Sequence, residues 1–190
     1  DFVLGNDPRN RDKNNISLLT AGSDYDAVII ADTDGEFGRY VPFQTNRSRI
    51  VLGTEGLRSD AWHWSWERHG APQLNQRFDK FAKRRMQGRD WAAWIAIRAI
   101  IESAIRTKSN EIERIQGYLN SEKLKLDGYK GKPLSFRSWD NQLRQPILLH
   151  THNAVIEMAP IKGFLHPKDD MDTLGYDKGD QKCKVQMDRK

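Results

Sequence analysis

Two short apolar runs constrain the fold of this chain more than any other feature of its sequence. They are residues 27–31 (AVIIA) and 50–53 (IVLG), and both are uncharged and rich in β-branched side chains. Runs of this kind, followed by Asp or ending in Gly, predict strands that are buried on both faces of a parallel sheet. Residues 36–46 are long enough for a crossover helix, which Pro42 predicts to be short or kinked. The chain is therefore predicted to belong to the α/β class.

Acidic side chains follow both predicted strands. Asp32, Asp34 and Glu36 come after the first strand, and Glu55 comes after the second. Both loops are acidic, although the chain as a whole has a formal net charge of +5. Because ligands of open α/β sheets bind outside the carboxyl ends of the strands, these carboxylates are candidates for lining a ligand crevice.

A first alternative is catalytic. The order of strand, Asp32, Thr33, Asp34 and Gly35 resembles the nucleophile loop of haloacid-dehalogenase-type phosphatases. The resemblance implies that Asp32 attacks phosphorus, that Asp34 acts as acid and base, and that the carboxylates hold Mg²⁺. Such a phosphatase also needs a hydroxyl residue, which Thr54 would supply, and a lysine followed by an acidic pair on later strand ends. No convincing set of that kind is present in the sequence.

Two further interpretations of the same loop remain open. Asp32, Asp34 and Glu36 stand at alternate positions, as in part of a calcium loop, but a full twelve-residue loop needs Glu where Phe43 stands. The carboxylates would otherwise only rim a crevice or cap a helix N-terminus, where negative charge is stabilised. That is the commonest role of such residues.

Histidines and acidic residues near the C-terminus are candidate metal ligands. His150 and His152 face the same side of a predicted strand, and a half-exposed strand face is the alternative explanation. The other candidate ligands are His166, Asp169, Asp170 and Asp172. The single cysteine, Cys183, has no evident base nearby and is not predicted to be a nucleophile.

The sequence pattern in the middle of the chain predicts helices. Pro72 suits the first turn of one helix, and Asp90 is a predicted cap for another, residues 91–106. The second helix is apolar nearly all round, which predicts burial against a sheet or between helices. A third helix is predicted from a Ser109 cap to about Asn120. Strands are predicted around residues 134–138, 147–150 and 155–158, and an irregular tail from Pro160.

The tryptophans of residues 60–70 (DAWHWSWERHG) alternate along the chain. If the segment is extended, Trp62, Trp64 and Trp66 share one side. They would either pack this segment onto the body of the protein or form an aromatic wall of a ligand site, and packing is the favoured interpretation.

The only basic cluster, residues 80–85, is interpreted as a solvated helix face, so nucleic acid is not predicted as a partner.

Several long stretches together resemble a known family. They are AVIIADTDGEFGRYVPFQT, GLRSDAWHWSWERHGAPQLNQRF, DGYKGKPLSFRSWDNQLRQPILL and GFLHPKDDMDTLGY. They resemble the C-terminal part of type I periplasmic substrate-binding proteins of branched-chain amino acid ABC transporters. More narrowly, they resemble the subgroup associated with PQQ-dependent alcohol oxidation. The resemblance runs from Phe2 to about Cys183.

The family resemblance implies the architecture. It implies a three-layer α/β lobe with a mainly parallel sheet and additional antiparallel strands near the C-terminus, while an N-terminal lobe would precede Asp1. Four segments follow: residues 1–87 with the cleft loops, 88–122 with the long helix crossing toward the other lobe, 123–160 with strands and a hinge-related segment, and the tail 161–190.

The resemblance also implies a binding site. Glu55 aligns with the acidic residue that holds the ammonium group of an amino-acid ligand, and Asp32, Thr33 and Glu36 lie in the loop that lines the cleft. Trp91, at the start of the long helix, would pack on the ligand. The chain lacks the Ser/Thr-rich lobe that holds a carboxylate, so the ligand is an amino acid or another small polar solute.

The predicted function is therefore solute binding in the periplasm, without enzymatic activity and without a cofactor. The resemblance implies an inner-membrane ABC transporter permease as the partner, and a periplasmic PQQ-dependent dehydrogenase system as a further one. The alternatives are the magnesium-dependent phosphatase and a structural subunit that docks onto a periplasmic complex.

Overall fold

The computed structural model describes residues 15–22, 24–33 and 38–180. Outside the described residues lie the apolar residues 2–4, for which the sequence predicts a short strand, the loop carboxylates Asp34 and Glu36, and the cysteine Cys183.

The described residues form a mixed α/β structure. The helices are α1 (Ile16–Leu19), α2 (Ala71–Ala82), α3 (Gly88–Thr107) and α4 (Ile112–Leu119), with 3₁₀ helices at Gly38–Phe43 and Asp170–Asp172. The strands are β1 (Ala27–Ile30), β2 (Ile50–Gly53), β3 (Arg58–Asp60), β4 (Leu126–Asp127), β5 (Pro133–Phe136), β6 (Leu143–Arg144), β7 (Ile147–His150) and β8 (Val155–Ala159).

These strands form three small sheets among the described residues. Strands β1 and β2 pair in parallel, as predicted, with Ala27 opposite Ile50 and Ile30 opposite Gly53. Strands β4, β5 and β6 form an antiparallel sheet in that order. The third sheet has the order β3, β7, β8. Both parallel and antiparallel pairing are therefore present.

The chain divides into two compact units. The first comprises the described residues up to Ser59 together with Leu149–Ile156, and the second comprises Asp60–Leu148 and the described residues from Glu157 onward. The four segments predicted above were defined by their roles in a two-lobed protein, and that division stays a prediction.

Among the described residues of the first unit, only one face of the parallel pair is covered. Ile30 and Val28 pack with Ile16 and Val41 on that face. On the other face Ile29 is 75% exposed. The prediction that these strands are buried on both faces is therefore wrong for the described residues. Burial on both faces needs a covering layer on each side, and only the layer of α1 and the 3₁₀ helix is present among them.

Local rules explain the connections of the first unit. Asn15 stands before Leu18, Leu19 and Ala21, which predicts a short helix with Asn15 as its cap. The Asn15 side chain does accept a hydrogen bond from the Leu18 amide at 2.9 Å and caps α1. The predicted short crossover is confirmed as the 3₁₀ helix Gly38–Phe43, with Pro42 inside it. Proline removes a backbone donor, so a longer α-helix is disfavoured here.

In the second unit, a three-residue segment joins the aromatic side chains. This Gly-Tyr-Lys segment, residues 128–130, accepts a hydrogen bond from the Trp91 indole at the Gly128 carbonyl (3.1 Å). The Tyr129 carbonyl accepts another from the Trp66 indole (2.9 Å). The Trp91 ring stacks on Trp62 at 6.0 Å between centroids. The segment thereby satisfies two indole N–H groups that would otherwise be buried without partners.

The packing interpretation of the alternating tryptophans holds for two of them. Trp62 and Trp66 are buried, and the Trp62 indole donates to Asn75 Oδ1 at 2.9 Å. Trp64 is half-buried beneath the Arg85 guanidinium, which lies 3.5 Å from the ring centroid. Strand β3 ends at Asp60 and residues 61–70 form no strand, so the extended conformation that would place all three indoles on one side is not observed.

Lys130, the last residue of the Gly-Tyr-Lys segment, is buried beside Trp91. Its ammonium donates to Gln145 Oε1 at 2.7 Å and to the Pro146 carbonyl at 2.9 Å, and it lies 3.7 Å from the Trp91 ring centroid. The side chain is fully buried. Burial lowers the pKa of Lys130 to about 7, which means that desolvation outweighs these favourable contacts.

The long helix α3 differs from its prediction at its start and in its burial. Asp90 does not cap it; Gln87 is the N-cap, and Asp90 completes a capping box from the third helical position. Trp91, Ile95 and Ala99 are buried along one face. Ile97, Ile100, Ile101 and Ile105 are exposed on the other face. An all-apolar helix buries only the face that a neighbouring element contacts, so the predicted central burial is wrong for the described residues.

The tail is held to the antiparallel sheet by buried charges. Asp172 accepts a hydrogen bond from Arg137 Nε at 2.9 Å and two from Arg144, at 2.7 and 2.9 Å. Arg137 also donates to the Leu174 carbonyl at 2.7 Å. Burial tends to raise the pKa of the Asp172 carboxyl, but hydrogen bonds from Arg144 and Arg137 outweigh it and hold the pKa below its ordinary value. The segment around Asp172 is thus anchored rather than merely lying on the surface.

None of the helices within the described ranges combines the length and the apolar character needed to cross a membrane.

Asp172→Asn is expected to destabilise the second unit. Removing one charge from a buried, hydrogen-bonded ion pair costs about 3–5 kcal/mol, and here the buried Arg137 guanidinium loses its nearest carboxylate. All six tryptophans of the chain lie in this unit, so urea unfolding followed by tryptophan fluorescence measures the loss. The control is Asp170→Asn, whose ion pair with Lys132 is exposed and is expected to contribute about 1 kcal/mol or less. Equal effects of the two variants would contradict the anchoring role.

In the wild-type protein the free energy of unfolding is expected to rise with pH as Lys130 loses its proton, and Lys130→Met is expected to remove this rise. Because the pKa of Lys130 is lower in the folded state, the folded chain loses this proton before the unfolded chain does. The destabilisation is therefore complete below pH 7 and is relieved between about pH 7 and 10, by up to about 1.4 kcal/mol per pH unit. Denaturant unfolding at several pH values checks this, with exposed Lys123→Met as the control. An unchanged pH profile in Lys130→Met would show that Lys130 is not the titrating group.

Candidate functional site

Hydrogen bonds of Thr54 connect the carboxyl ends of β1 and β2. The Asp32 amide donates to Thr54 Oγ1 at 3.0 Å, and the Thr54 amide donates to the Ile30 carbonyl at 3.0 Å. The parallel pairing therefore continues past the last residues of both strands. As a result, the described residues that follow β1 lie beside the first residues of the loop after β2, as the sequence predicted.

Two glycines give the second loop its shape. Gly53 and Gly56 have φ angles of +114° and +82°, in the region that disfavours residues with a Cβ. A Cβ at Gly53 would collide with the Ile30 carbonyl, and one at Gly56 would collide with the Val51 carbonyl. The Leu57 amide donates to that Val51 carbonyl at 2.8 Å and closes the loop. Glu55 is held at the tip of this tight turn.

Glu55 is half-buried, and the structure gives it no ion-pair partner among the described residues. Thr33, the other predicted contact of this edge, is exposed. Both residues lie beside the Asp32–Thr54 connection, so the structure brings three of the predicted site residues to one edge of the parallel pair. A carboxylate in this position has the chemistry to bind an ammonium or guanidinium group.

Asp32 has a structural role at this edge. Its Oδ2 accepts a hydrogen bond from the Gly38 amide at 2.6 Å, where the 3₁₀ helix begins. That contact favours the interpretation of Asp32 as a cap. The phosphatase interpretation also requires Asp34, and the calcium interpretation requires Asp34 and Glu36. These positions lie outside the described residues, so neither interpretation is tested.

Trp91 lies in the second unit and is fully buried. Trp62, Lys130 and the Gly128 carbonyl contact its ring. In the structure the Trp91 side chain is thus a core residue, and its predicted role in packing on a ligand stays a prediction.

The candidate metal ligands do not converge within the described residues. No group of three or more histidine, cysteine, aspartate or glutamate side chains in that part of the chain is placed to hold a metal ion. His150 is buried with Nδ1 2.8 Å from the Thr151 carbonyl, and Asp172 is bound by two arginines. His152 instead meets the Phe43 ring edge-on at 6.0 Å between centroids.

The role of Thr54 as a bridge was not predicted from the sequence, which singled it out only for phosphatase chemistry. One signal in the sequence could have indicated this role. Thr54 carries a hydroxyl group and comes directly after the second predicted strand, close to the residues that follow the first one.

Comparison of the chain with protein-family models, curated proteins and solved structures found no match. The resemblance to type I periplasmic substrate-binding proteins therefore stays a prediction.

Thr54→Val is expected to loosen the candidate site. The substitution keeps the side-chain shape but leaves the Asp32 amide without its acceptor, at a cost of about 1 kcal/mol. Amide hydrogen exchange measured by NMR should be about five-fold faster for the β1 and β2 amides. The exposed neighbour Thr33 supplies the matched control, Thr33→Val, which should leave exchange unchanged. If the two variants exchange alike, Thr54 does not hold the two loops together.

Proposed function

We propose that this chain is a solute-binding component of an ABC transport system, and that Glu55 binds the cationic group of a small solute. The observation that carries the proposal is the edge of the parallel pair, where Glu55 lies at the tip of a rigid turn beside Asp32 and Thr33. Such an edge is where open α/β sheets bind their ligands. The solute is an amino acid or another small polar molecule with an ammonium group.

The electrostatics of the first unit support Glu55 over its neighbours. Asp32 already accepts a backbone hydrogen bond, and Asp24 pairs with Arg47 at 3.2 Å and with Arg49 at 3.4 Å. Glu55, in contrast, makes no ion pair with any residue that the structure describes. A half-buried carboxylate without a cation is stabilised by a cationic ligand, which gives the solute a favourable interaction.

The exposed apolar face of the parallel pair supports the proposal that this unit is part of a three-layer α/β lobe. Ile29 and Ile50 are 75% and 61% exposed. A three-layer lobe would cover this face with a second layer of helices and extend the two-strand pair into a mainly parallel sheet. On this proposal the first unit is the part of such a lobe that carries the cleft loops.

The proposal places the protein in the periplasm, where closure around the solute would present a surface to an inner-membrane permease. The PQQ-dependent alcohol oxidation system is proposed as the metabolic context from the sequence resemblance alone. No catalytic step is assigned to the chain.

Calorimetry of the full-length protein with basic, neutral and acidic amino acids and with simple amines tests the proposal. Glu55→Gln should weaken binding of a cationic solute about 10- to 100-fold, because a charge-assisted hydrogen bond is lost. Asp26→Asn is the matched control, since Asp26 is exposed directly before the amino end of β1. Its affinity should stay within about two-fold of wild type.

Two results would contradict the proposal. One is saturable solute binding with the same affinity in Glu55→Gln as in wild type. The other is magnesium-dependent hydrolysis of phosphate esters that is lost in Asp32→Asn, which would establish the phosphatase instead.

A further inference from the structure

A separate pocket of about 300 Å³ lies within the second unit. Helices α2 and α3 and the Gly-Tyr-Lys segment form it, so it does not involve the edge of β1 and β2. Its volume is at the lower end of the range for small-molecule sites. The lining residues are Leu74, Arg77, Phe78, Met86, Trp94, Arg98 and Tyr129.

Five of the seven residues that line this pocket are apolar or aromatic. Trp94 and Tyr129 stack on each other with 5.6 Å between ring centroids and 25° between planes. Leu74 and Met86 are buried, and Phe78 completes the apolar lining. The Tyr129 backbone is fixed by the bond from the Trp66 indole to its carbonyl. A rigid aromatic lining of this kind suits a planar or compact apolar ligand body.

Two arginines give the same pocket a positive charge. The Arg98 guanidinium lies 5.2 Å from the Trp94 ring centroid, and Arg77 lines the pocket from α2. The two acidic groups of α3 are already paired with other arginines, Asp90 with Arg84 at 2.6 Å and Glu102 with Arg106 at 2.7 Å.

Arg77 and Arg98 form no ion pair among the residues that the structure describes. Within that part of the chain, no carboxylate lies at ion-pair distance from either guanidinium group.

We propose that this pocket binds a small carboxylate with an aromatic or compact apolar body. The guanidinium groups would bind the carboxylate, since their planar donor geometry matches its two oxygens. The ring or alkyl group would lie against Trp94, Tyr129 and Phe78. A cationic ligand is repelled by the arginines, and a neutral one leaves them unpaired, so the site discriminates by charge.

The inference goes beyond the proposed function, because it concerns a different unit and a ligand of opposite charge. A Glu55→Gln substitution is therefore expected to leave carboxylate binding unchanged.

Titration of the full-length protein with benzoate and phenylacetate tests the proposal, with benzyl alcohol and benzylamine as the neutral and cationic analogues. Both carboxylates should bind saturably and alter tryptophan fluorescence, because Trp94 lies in the pocket. Benzyl alcohol and benzylamine should bind at least about ten-fold more weakly.

Arg98→Gln and Arg77→Gln should each reduce carboxylate affinity about ten-fold or more. Arg89→Gln is the matched control, because Arg89 lies on the same helix and outside the pocket lining. Trp94→Leu should weaken binding through loss of the aromatic surface while keeping both arginines. Near-ultraviolet circular dichroism verifies that each variant is folded.

Three results would overturn the proposal. They are the absence of saturable carboxylate binding up to about 10 mM, equal affinity for benzyl alcohol, and wild-type affinity in folded Arg98→Gln and Arg77→Gln.

Discussion

The second unit depends on the hydrogen bonds that the Gly-Tyr-Lys segment accepts from two indoles. Burying Trp66 and Trp91 removes large apolar surfaces from water, but each indole N–H then needs an acceptor inside the protein. The carbonyls of Gly128 and Tyr129 supply both. The next residue, Lys130, extends the segment to Gln145 and the Pro146 carbonyl. One short segment therefore links the tryptophan-rich region, the long helix and the chain that leads into β7.

Buried charges complete this unit at the tail. Arg137 and Arg144 both bind Asp172, and Trp139 lies beneath the two guanidinium groups, 5.4 and 5.2 Å from its centroid. Asp140 lies 3.5 Å from Arg137 and Asp169 lies 3.6 Å from Arg144, so three carboxylates surround the two guanidinium groups. Asp172 makes the shortest of these contacts to both arginines, and its loss would leave the buried Arg137 with a longer ion pair only.

The first unit is organised by a different constraint. Gly53 and Thr54 bring the backbone of the second loop against the end of β1, and the turn closed at Gly56 leaves little freedom to Glu55. A ligand that binds there meets a pre-formed edge, so less conformational entropy is lost on binding. The proposed site is in this sense a consequence of the parallel pairing.

Sequence rules with local causes predicted the structure well. The apolar runs at β1 and β2, the Asn15 cap, the proline-limited crossover and the start of α2 at Pro72 all depend on residues within a few positions of each other. Such features are encoded by capping groups, proline geometry and strand composition.

Features with distant causes were missed. The exposure of Ile29 and Ile101 depends on whether another layer covers them, which an apolar run does not reveal. Asp172 was grouped with neighbouring acidic residues as a metal candidate, but its partner Arg137 is 35 residues away. The hydrogen bond from the Trp91 indole to the Gly128 carbonyl, 37 residues along the chain, was not predicted either.

The proposed function depends most on a direct contact between Glu55 and the cationic group of a bound solute. NMR of the full-length protein with ¹³C-labelled glutamate observes this carboxyl carbon during titration with a solute found by calorimetry. If Glu55 binds the solute, its signal should shift and saturate with the affinity that calorimetry measures, because its carboxylate gains a cationic partner. Saturable binding with an unmoved Glu55 signal would show that this carboxylate does not contact the solute.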